Sequence, residues 1–190
     1  LSPEAKALGL KIGTPIFQVP DDTRKQVQVR SANFALYGDM SARIVAILQD
    51  LFPRVEVYSI DENFVDVEGL PDPFTTCLEA RERILQWVGI PCCVGLGATR
   101  TLAKAGNKLA KNQSKRAVNA GRLAVFHATP ENIHLLPVED VWGVGRRYTE
   151  RLAKESVFTA ADLAAAPADG IRARYGVVLS RTQTELRGIP

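Results

Sequence analysis

Val55-Glu56-Val57-Tyr58-Ser59-Ile60-Asp61-Glu62-Asn63-Phe64-Val65-Asp66-Val67 is the stretch whose reading decides the fold. Apolar and polar residues alternate from Val55 to Ile60, which predicts a half-buried strand, and Phe64 to Val67 predicts a second. Asp61-Glu62-Asn63 between them is turn chemistry, so the two runs fold back as a β-hairpin with acids at its tip. Adjacent carboxylates at a rigid strand end are hard oxygen ligands of the kind magnesium takes when it bridges protein to phosphate. The same pair is also ordinary turn composition, so the chemistry needs support from elsewhere in the chain.

Working outward, Met40, Ile44, Ile47, Leu48 and Leu51 form a one-faced apolar stripe that predicts a helix, ended by Pro53. After the hairpin, Asp72-Pro73 opens a helix with Leu78, Ile84, Leu85 and Val88 facing one way. Cys92 to Leu96 is a short apolar strand, Thr99 to Lys111 is helical, and Leu123 to Phe126 is a further strand. The order α-β-β-α-β-α-β predicts an α+β fold, with a mixed or antiparallel sheet and helices packed on one face.

At the N-terminus, Ser2-Pro3-Glu4 reads as cap, first helical residue and first-turn acid, so Pro3 to Leu8 is a short helix stopped by Gly9. Pro15 to Val29 is an irregular link in which Val27 and Val29 alternate as a strand. From Thr129 onward strand signals vanish. Thr129-Pro130 and Pro137 each start a helix, a further helix runs from Arg146 to Glu155, and Val177 to Leu186 closes the chain. Thr159 with Asp162 makes a capping box. A boundary falls near residue 127.

The net charge of the 190 residues is only +3, but no Asp or Glu occurs between Arg83 and Pro130. Within that stretch Arg100, Lys104, Lys108, Lys111 and Lys115 recur at helical spacing along one face, with Leu102, Gly106 and Leu109 opposite. Such a stripe suits the phosphates of a triphosphate or of a nucleic-acid backbone, or it is simply a solvated face. In Val141-Trp142-Gly143-Val144-Gly145-Arg146-Arg147, glycines on either side of one apolar residue turn the backbone sharply into a helix N-terminus, where amides and dipole attract anions. With helical patterns over Leu135–Val141 and Arg146–Glu155, this reads as a helix-hairpin-helix that grips DNA phosphates without reading bases. A dinucleotide site is excluded, because no strand precedes the glycines and a third glycine is absent. Cys77, Cys92 and Cys93 support neither a disulfide framework nor a zinc site, which fits a reducing compartment. No apolar run reaches membrane-span length, so the expected location is cytoplasmic with no membrane partner.

Taken together these residues resemble a known family. Tyr58-Ser59-Ile60-Asp61-Glu62-Asn63-Phe64-Val65-Asp66 is similar to the palm signature of Y-family translesion DNA polymerases. Ser31-Ala32-Asn33-Phe34-Ala35-Leu36-Tyr37-Gly38-Asp39-Met40-Ser41 and Val141 to Arg147 resemble its UmuC branch in particular. Gly95-Leu96-Gly97-Ala98-Thr99-Arg100-Thr101-Leu102-Ala103-Lys104 is similar to the third palm motif.

The resemblance implies a remnant of the fingers over 1–29, a palm over 30–127 whose first strand is missing, and an all-helical thumb with a helix-hairpin-helix over 128–190. It implies catalytic and metal-binding roles for Asp61 and Glu62, and triphosphate contacts from Lys104 and Lys6. DNA contacts are implied for Gly143, Val144, Gly145, Arg146 and Arg147, with Lys108 of the basic stripe beside them. The implied cofactor is Mg2+ in a two-ion site, incomplete here because the first carboxylate would lie before Leu1; the family's extra DNA-binding domain would follow Pro190. At Pro3, where many members carry a tyrosine near the triphosphate, that contact is lacking. The implied partners are primer-template DNA, a deoxynucleoside triphosphate, and, through segments outside these residues, a sliding clamp and a UmuD-like regulatory subunit. The expected function is lesion bypass in DNA repair and the SOS response, with the 190 residues alone inactive. The alternative is a non-catalytic, polymerase-like DNA-binding scaffold. A metal-dependent nuclease would need further acids near Asp61, and only Asp66 is close.

Overall fold

A computed structural model of the protein describes residues 1–116 and 124–190, without the side chains of Lys115 and Arg116. Lys115 of the basic stripe and the start of the strand expected from Leu123 therefore lie outside the described residues. The chain divides into two units, residues 1–37 and 38–190.

In the first unit, helix α1 (Pro3–Ala7) starts where its sequence signals place it, with the Ser2 hydroxyl accepting from the Ala5 amide at 3.3 Å. A 3-10 turn follows at Ile16–Gln18, and then a short helix α2 (Asp21–Arg24). The strand expected at Val27 and Val29 does not form. Among the described residues neither has a partner strand, and Val29 is exposed, so extended backbone there gains no ladder hydrogen bonds from them.

Helix α3 (Phe34–Leu51) begins before the predicted Met40, because the Asn33 Oδ1 caps the Leu36 amide at 3.1 Å. Phe52 and Pro53 end it and feed strand β1 (Arg54–Val57), which pairs antiparallel with β2 (Asn63–Asp66) in the register Arg54↔Asp66 to Val57↔Asn63. Helix α4 (Pro73–Val88) is capped by Asp72, whose Oδ1 accepts from the Thr75 amide at 3.1 Å, and Gly89 ends it in the left-handed region at φ +76°. Its buried residues are Cys77, Ala80 and Ile84; of the predicted face, Ile84 is buried and Leu78 packs against the core, while Leu85 is 43% exposed. Strand β3 (Val94–Leu96), helix α5 (Arg100–Arg116) and strand β4 (Val125–His127) form a crossover unit with β3 and β4 parallel. Burial pushes the Cys77 thiol up to about 11, so it is an inert core group.

The α+β order is as the sequence predicts, but the described strands form two two-stranded ribbons instead of one sheet. A shared apolar cluster joins them: Phe52, Cys77, Ala80, Leu96 and Val125 are buried with Val55 and Val65 packed against them. The second core takes Leu102, Ala105 and Leu109 from one face of α5 and covers them with the C-terminal residues, including Ile133, Leu136, Leu152, Leu163, Ile171 and Leu186. These come from α6 (Arg146–Ala153), α7 (Ala160–Ala165), α8 (Ala168–Leu186) and the 3-10 turns before them. Helix α8 is broken at Gly176, where φ is +86°. The capping box of Thr159 and Asp162 is present on α7, and its amide hydrogen bonds hold the Asp162 carboxyl below the usual range.

Candidate active site

The hairpin tip is built by hydrogen bonds within its own loop. The amides of Tyr58 and Ser59 donate to the Glu62 carbonyl at 3.2 and 2.9 Å, and the Ser59 hydroxyl donates to Asp61 Oδ1 at 2.8 Å. The strand expected to reach Ile60 therefore stops at Val57, and Tyr58 to Glu62 form a tight, polar loop. Asp61 is exposed, while Glu62 is half-buried. Glu62 Oε2 accepts from Lys104 Nζ at 2.5 Å, and the Lys104 side chain is only 17% exposed. An ion pair so shielded is screened less than a surface pair.

Lys104 stands on α5 because that helix is fixed at both its faces and its start. Thr99 Oγ1 caps the Leu102 amide at 3.2 Å, and the Glu185 carboxylate of α8 accepts from the Thr101 amide and hydroxyl at 2.9 and 2.6 Å. A carboxylate at a helix N-terminus is favourable for the dipole. Leu102, Gly106 and Leu109 are buried opposite the charged stripe, as the spacing predicts.

The stripe itself is not bare. Arg100 makes a two-pronged bond to Glu56 of β1 at 2.9 and 2.5 Å, Lys104 meets Glu62, and Lys108 meets Asp140 at 2.7 Å. Lys111 is exposed, with no acidic partner among the described residues. Any phosphate approaching this face must therefore compete with carboxylates that the local sequence does not reveal. Three aromatic rings surround the Lys104 ammonium, with centroids at 5.0 Å (Tyr58), 5.3 Å (Trp142) and 5.9 Å (Phe64). Tyr58 and Phe64 flank the acid pair on opposite arms of the hairpin, so their meeting was readable; nothing local signals Trp142.

Trp142 leads into the glycine turn. Gly143 has φ +87°, Val141 and Val144 are buried, and Gly145 is the N-cap of α6. Arg146 and Arg147 begin α6 and are exposed, with Arg146 Nε bonded to Glu150 at 2.9 Å. The helix expected over Leu135–Val141 is replaced by 3-10 turns at Ile133–Leu135 and Val138–Asp140, so the helix-hairpin-helix keeps only its second helix. Pro137 has no amide to continue a helix, and the backbone around it bonds sideways instead: Val138 N to Phe158 O at 2.8 Å, Ala160 N to Leu136 O at 2.9 Å. Lys6 is exposed in α1, within the first unit.

Asp66 is held by Arg54 at 2.5 Å, and its carboxyl is lowered by the Glu68 amide and by Arg54. It is thus engaged on the opposite end of the ribbon from Asp61. Among the described residues, no group of three or more His, Cys, Asp or Glu side chains is placed to hold a metal. The adjacent carboxylates of Asp61 and Glu62 are oxygen donors of the type taken by an ion that keeps waters and completes its shell with substrate phosphate, with Glu62 paired to Lys104 here. The next residue, Asn63, has a buried Oδ1 without a hydrogen-bond partner among the described residues. No described helix is long and apolar enough to cross a membrane.

Comparison with known proteins places these features in a lineage. The profile of the impB/mucB/samB family matches residues 1–108. Protein ImpB of Salmonella typhimurium is 41% identical over 200 residues, covering 98% of this chain and 45% of that protein. Protein UmuC of Salmonella typhimurium is 39% identical over 193 residues, covering 100% of this chain and 46% of that protein. The chain thus spans somewhat less than half the length of the curated relatives it matches. Among solved structures, the insertion ternary complex of Dbh DNA polymerase superposes with a TM-score of 0.78 at 20% identity, covering 98% of this chain and 54% of that one. That likeness is one of fold.

Proposed function

Because the chain belongs to the impB/mucB/samB family, we propose that it forms part of a lesion-bypass DNA polymerase, which adds deoxynucleotides to a primer on damaged template. Within that reading residues 1–29 belong to the fingers, 30–127 to the palm and 128–190 to the thumb. The observation that carries it is the contact between Glu62, beside Asp61 at the hairpin tip, and Lys104 on α5. A carboxylate of the acid pair within hydrogen-bond distance of a shielded cation supports phosphoryl transfer from a metal-bound triphosphate.

Asp61 and Glu62 would hold the magnesium ions, and an ion bound there supplies positive charge to the α-phosphate and to the attacking and leaving oxygens. Lys104, once Glu62 is engaged elsewhere, is free to pair with the triphosphate; for Lys6, in the first unit, a triphosphate contact is what the family resemblance implies. The Gly143 and Gly145 amides, at the start of α6, bind duplex phosphate with Arg146 and Arg147, whereas the amide of buried Val144, expected to join them, donates to the Val141 carbonyl at 3.0 Å; Lys108 adds charge one turn of α5 beyond Lys104. Primer-template DNA and a deoxynucleoside triphosphate are the partners at this site. A sliding clamp and a UmuD-like subunit are further partners of the longer polymerase, acting in the cytoplasm.

Binding to a fluorescent primer-template duplex tests the DNA half of this reading. Arg146→Ala combined with Arg147→Ala is expected to weaken binding several-fold for all sequences alike and to flatten the log–log salt slope by about two. An unchanged salt slope would remove the turn from the DNA-binding surface. The catalytic half has its own expected result: with the described acids at the tip limited to Asp61 and Glu62, these 190 residues incorporate no nucleotide. Magnesium-dependent primer extension by the purified chain, abolished by Asp61→Ala, would overturn this.

A further inference from the structure

The walls around Lys104 have a feature that its ion pair does not need. Tyr58 and Phe64 come from the hairpin that carries Glu62, but Trp142 comes from the segment that leads into the glycine turn, far along the chain. The rings also pack on one another, Tyr58 edge-on to Phe64 at 5.6 Å and to Trp142 at 5.8 Å, with Phe64 and Trp142 at 6.2 Å. Trp142 is held in turn by its neighbours: Val141 and Val144 are buried, and Asp140 reaches Lys108 one turn further along α5. A cation enclosed by several ring faces is attracted by their quadrupoles whatever its carboxylate partner does.

We infer that Trp142 is a positioning residue for Lys104: it closes an aromatic box that keeps the ammonium beside the acid hairpin when Glu62 exchanges its partner. Without the box, a lysine released by Glu62 is a flexible four-carbon chain free to leave the site. With it, the ammonium stays where a polyphosphate arriving next to Asp61 and Glu62 meets it. The same residue ties that lysine to the glycine turn, so whatever orders the turn also orders the cation. The inference rests on the triphosphate role proposed above for Lys104.

The test is acetylation of the whole 190-residue chain by a limiting acylating reagent, followed by mass spectrometry of Lys104 and of exposed Lys111 as internal reference, with magnesium tripolyphosphate as the anionic probe. Trp142→Ala is expected to raise the Lys104 rate about fivefold relative to Lys111, and to raise the half-protecting tripolyphosphate concentration by about the same factor. Trp142→Phe restores most of both, because a ring face remains. Tyr58→Leu, at an exposed position, removes another wall without touching the core and is expected to raise the Lys104 rate in the same direction. An unchanged Lys104 rate in both Trp142→Ala and Tyr58→Leu, or an equal rise at Lys104 and Lys111, overturns the inference. Protection at the same concentration in wild type and Trp142→Ala also overturns it, leaving the triphosphate role standing. If tripolyphosphate protects neither protein while Trp142→Ala still exposes Lys104, the box stands and the triphosphate role falls.

Discussion

Gly95→Ala is expected to destabilise the protein by about 4 kcal/mol, enough to unfold much of it. A Cβ at position 95 would lie 2.0 Å from the Ala103 carbonyl oxygen and 2.1 Å from the Asn107 amide nitrogen, both backbone of α5. Neither atom can swing aside, because α5 is packed on both ribbon strands and on the C-terminal core. The close approach is mutual: a Cβ on Gly106 would meet the Phe126 carbonyl at 2.7 Å. Glycine at these positions lets α5 lie directly on β3 and β4, and so sets the height at which Lys104 faces Glu62. Urea unfolding followed by circular dichroism measures the loss. Gly145→Ala is the control, since its Cβ would have nothing within 4 Å and its φ of −93° suits any residue; a cost of no more than about 1 kcal/mol is expected there. Equal melting of Gly95→Ala and wild type would show that α5 does not rest on β3 as described.

Asp61→Ala is expected to weaken divalent-ion binding by at least about tenfold, since it removes one of two charged oxygen ligands from the tip. Manganese, titrated by calorimetry or by its electron paramagnetic resonance signal, is the practical probe. Glu62→Gln should have a similar effect on the ion and also free Lys104 from its carboxylate. Asp66→Asn is the control, because the Asp66 carboxylate is occupied by Arg54 and lies at the other end of the hairpin register. Manganese affinity that stays within about twofold in Asp61→Ala would remove the metal role of the tip, and with it the phosphoryl-transfer chemistry proposed for this chain.

Much of this architecture is legible in the sequence. Alternation gave β1 and β2, the Ser2, Asp72 and Thr159 caps opened their helices as written, and the stripe opposite Lys104 and Lys108 is buried as its spacing requires. These are local matters: a cap bonds within one turn, and a helix face is fixed by residues three and four apart. The reading failed where a segment's backbone found partners far away. Leu135 to Val141 has helical spacing, but the Val138 amide bonds to the Phe158 carbonyl, the Leu136 carbonyl accepts from the Ala160 amide, and Pro137 interrupts the ladder. Val27 and Val29 alternate as a strand does, yet no neighbour completes them.

The site divides along the same line. The sequence by itself determined that Asp61 and Glu62 sit at a hairpin tip and that Lys104 lies on the polar face of a helix. Only the tertiary structure decided that Glu62 turns to Lys104, that Glu56 and Asp140 occupy the cations on either side of it, and that Trp142 closes the box. Helical periodicity specifies which way a side chain faces, but the group it meets there is set by packing between elements distant in sequence, through distances of a few ångströms that no local pattern encodes.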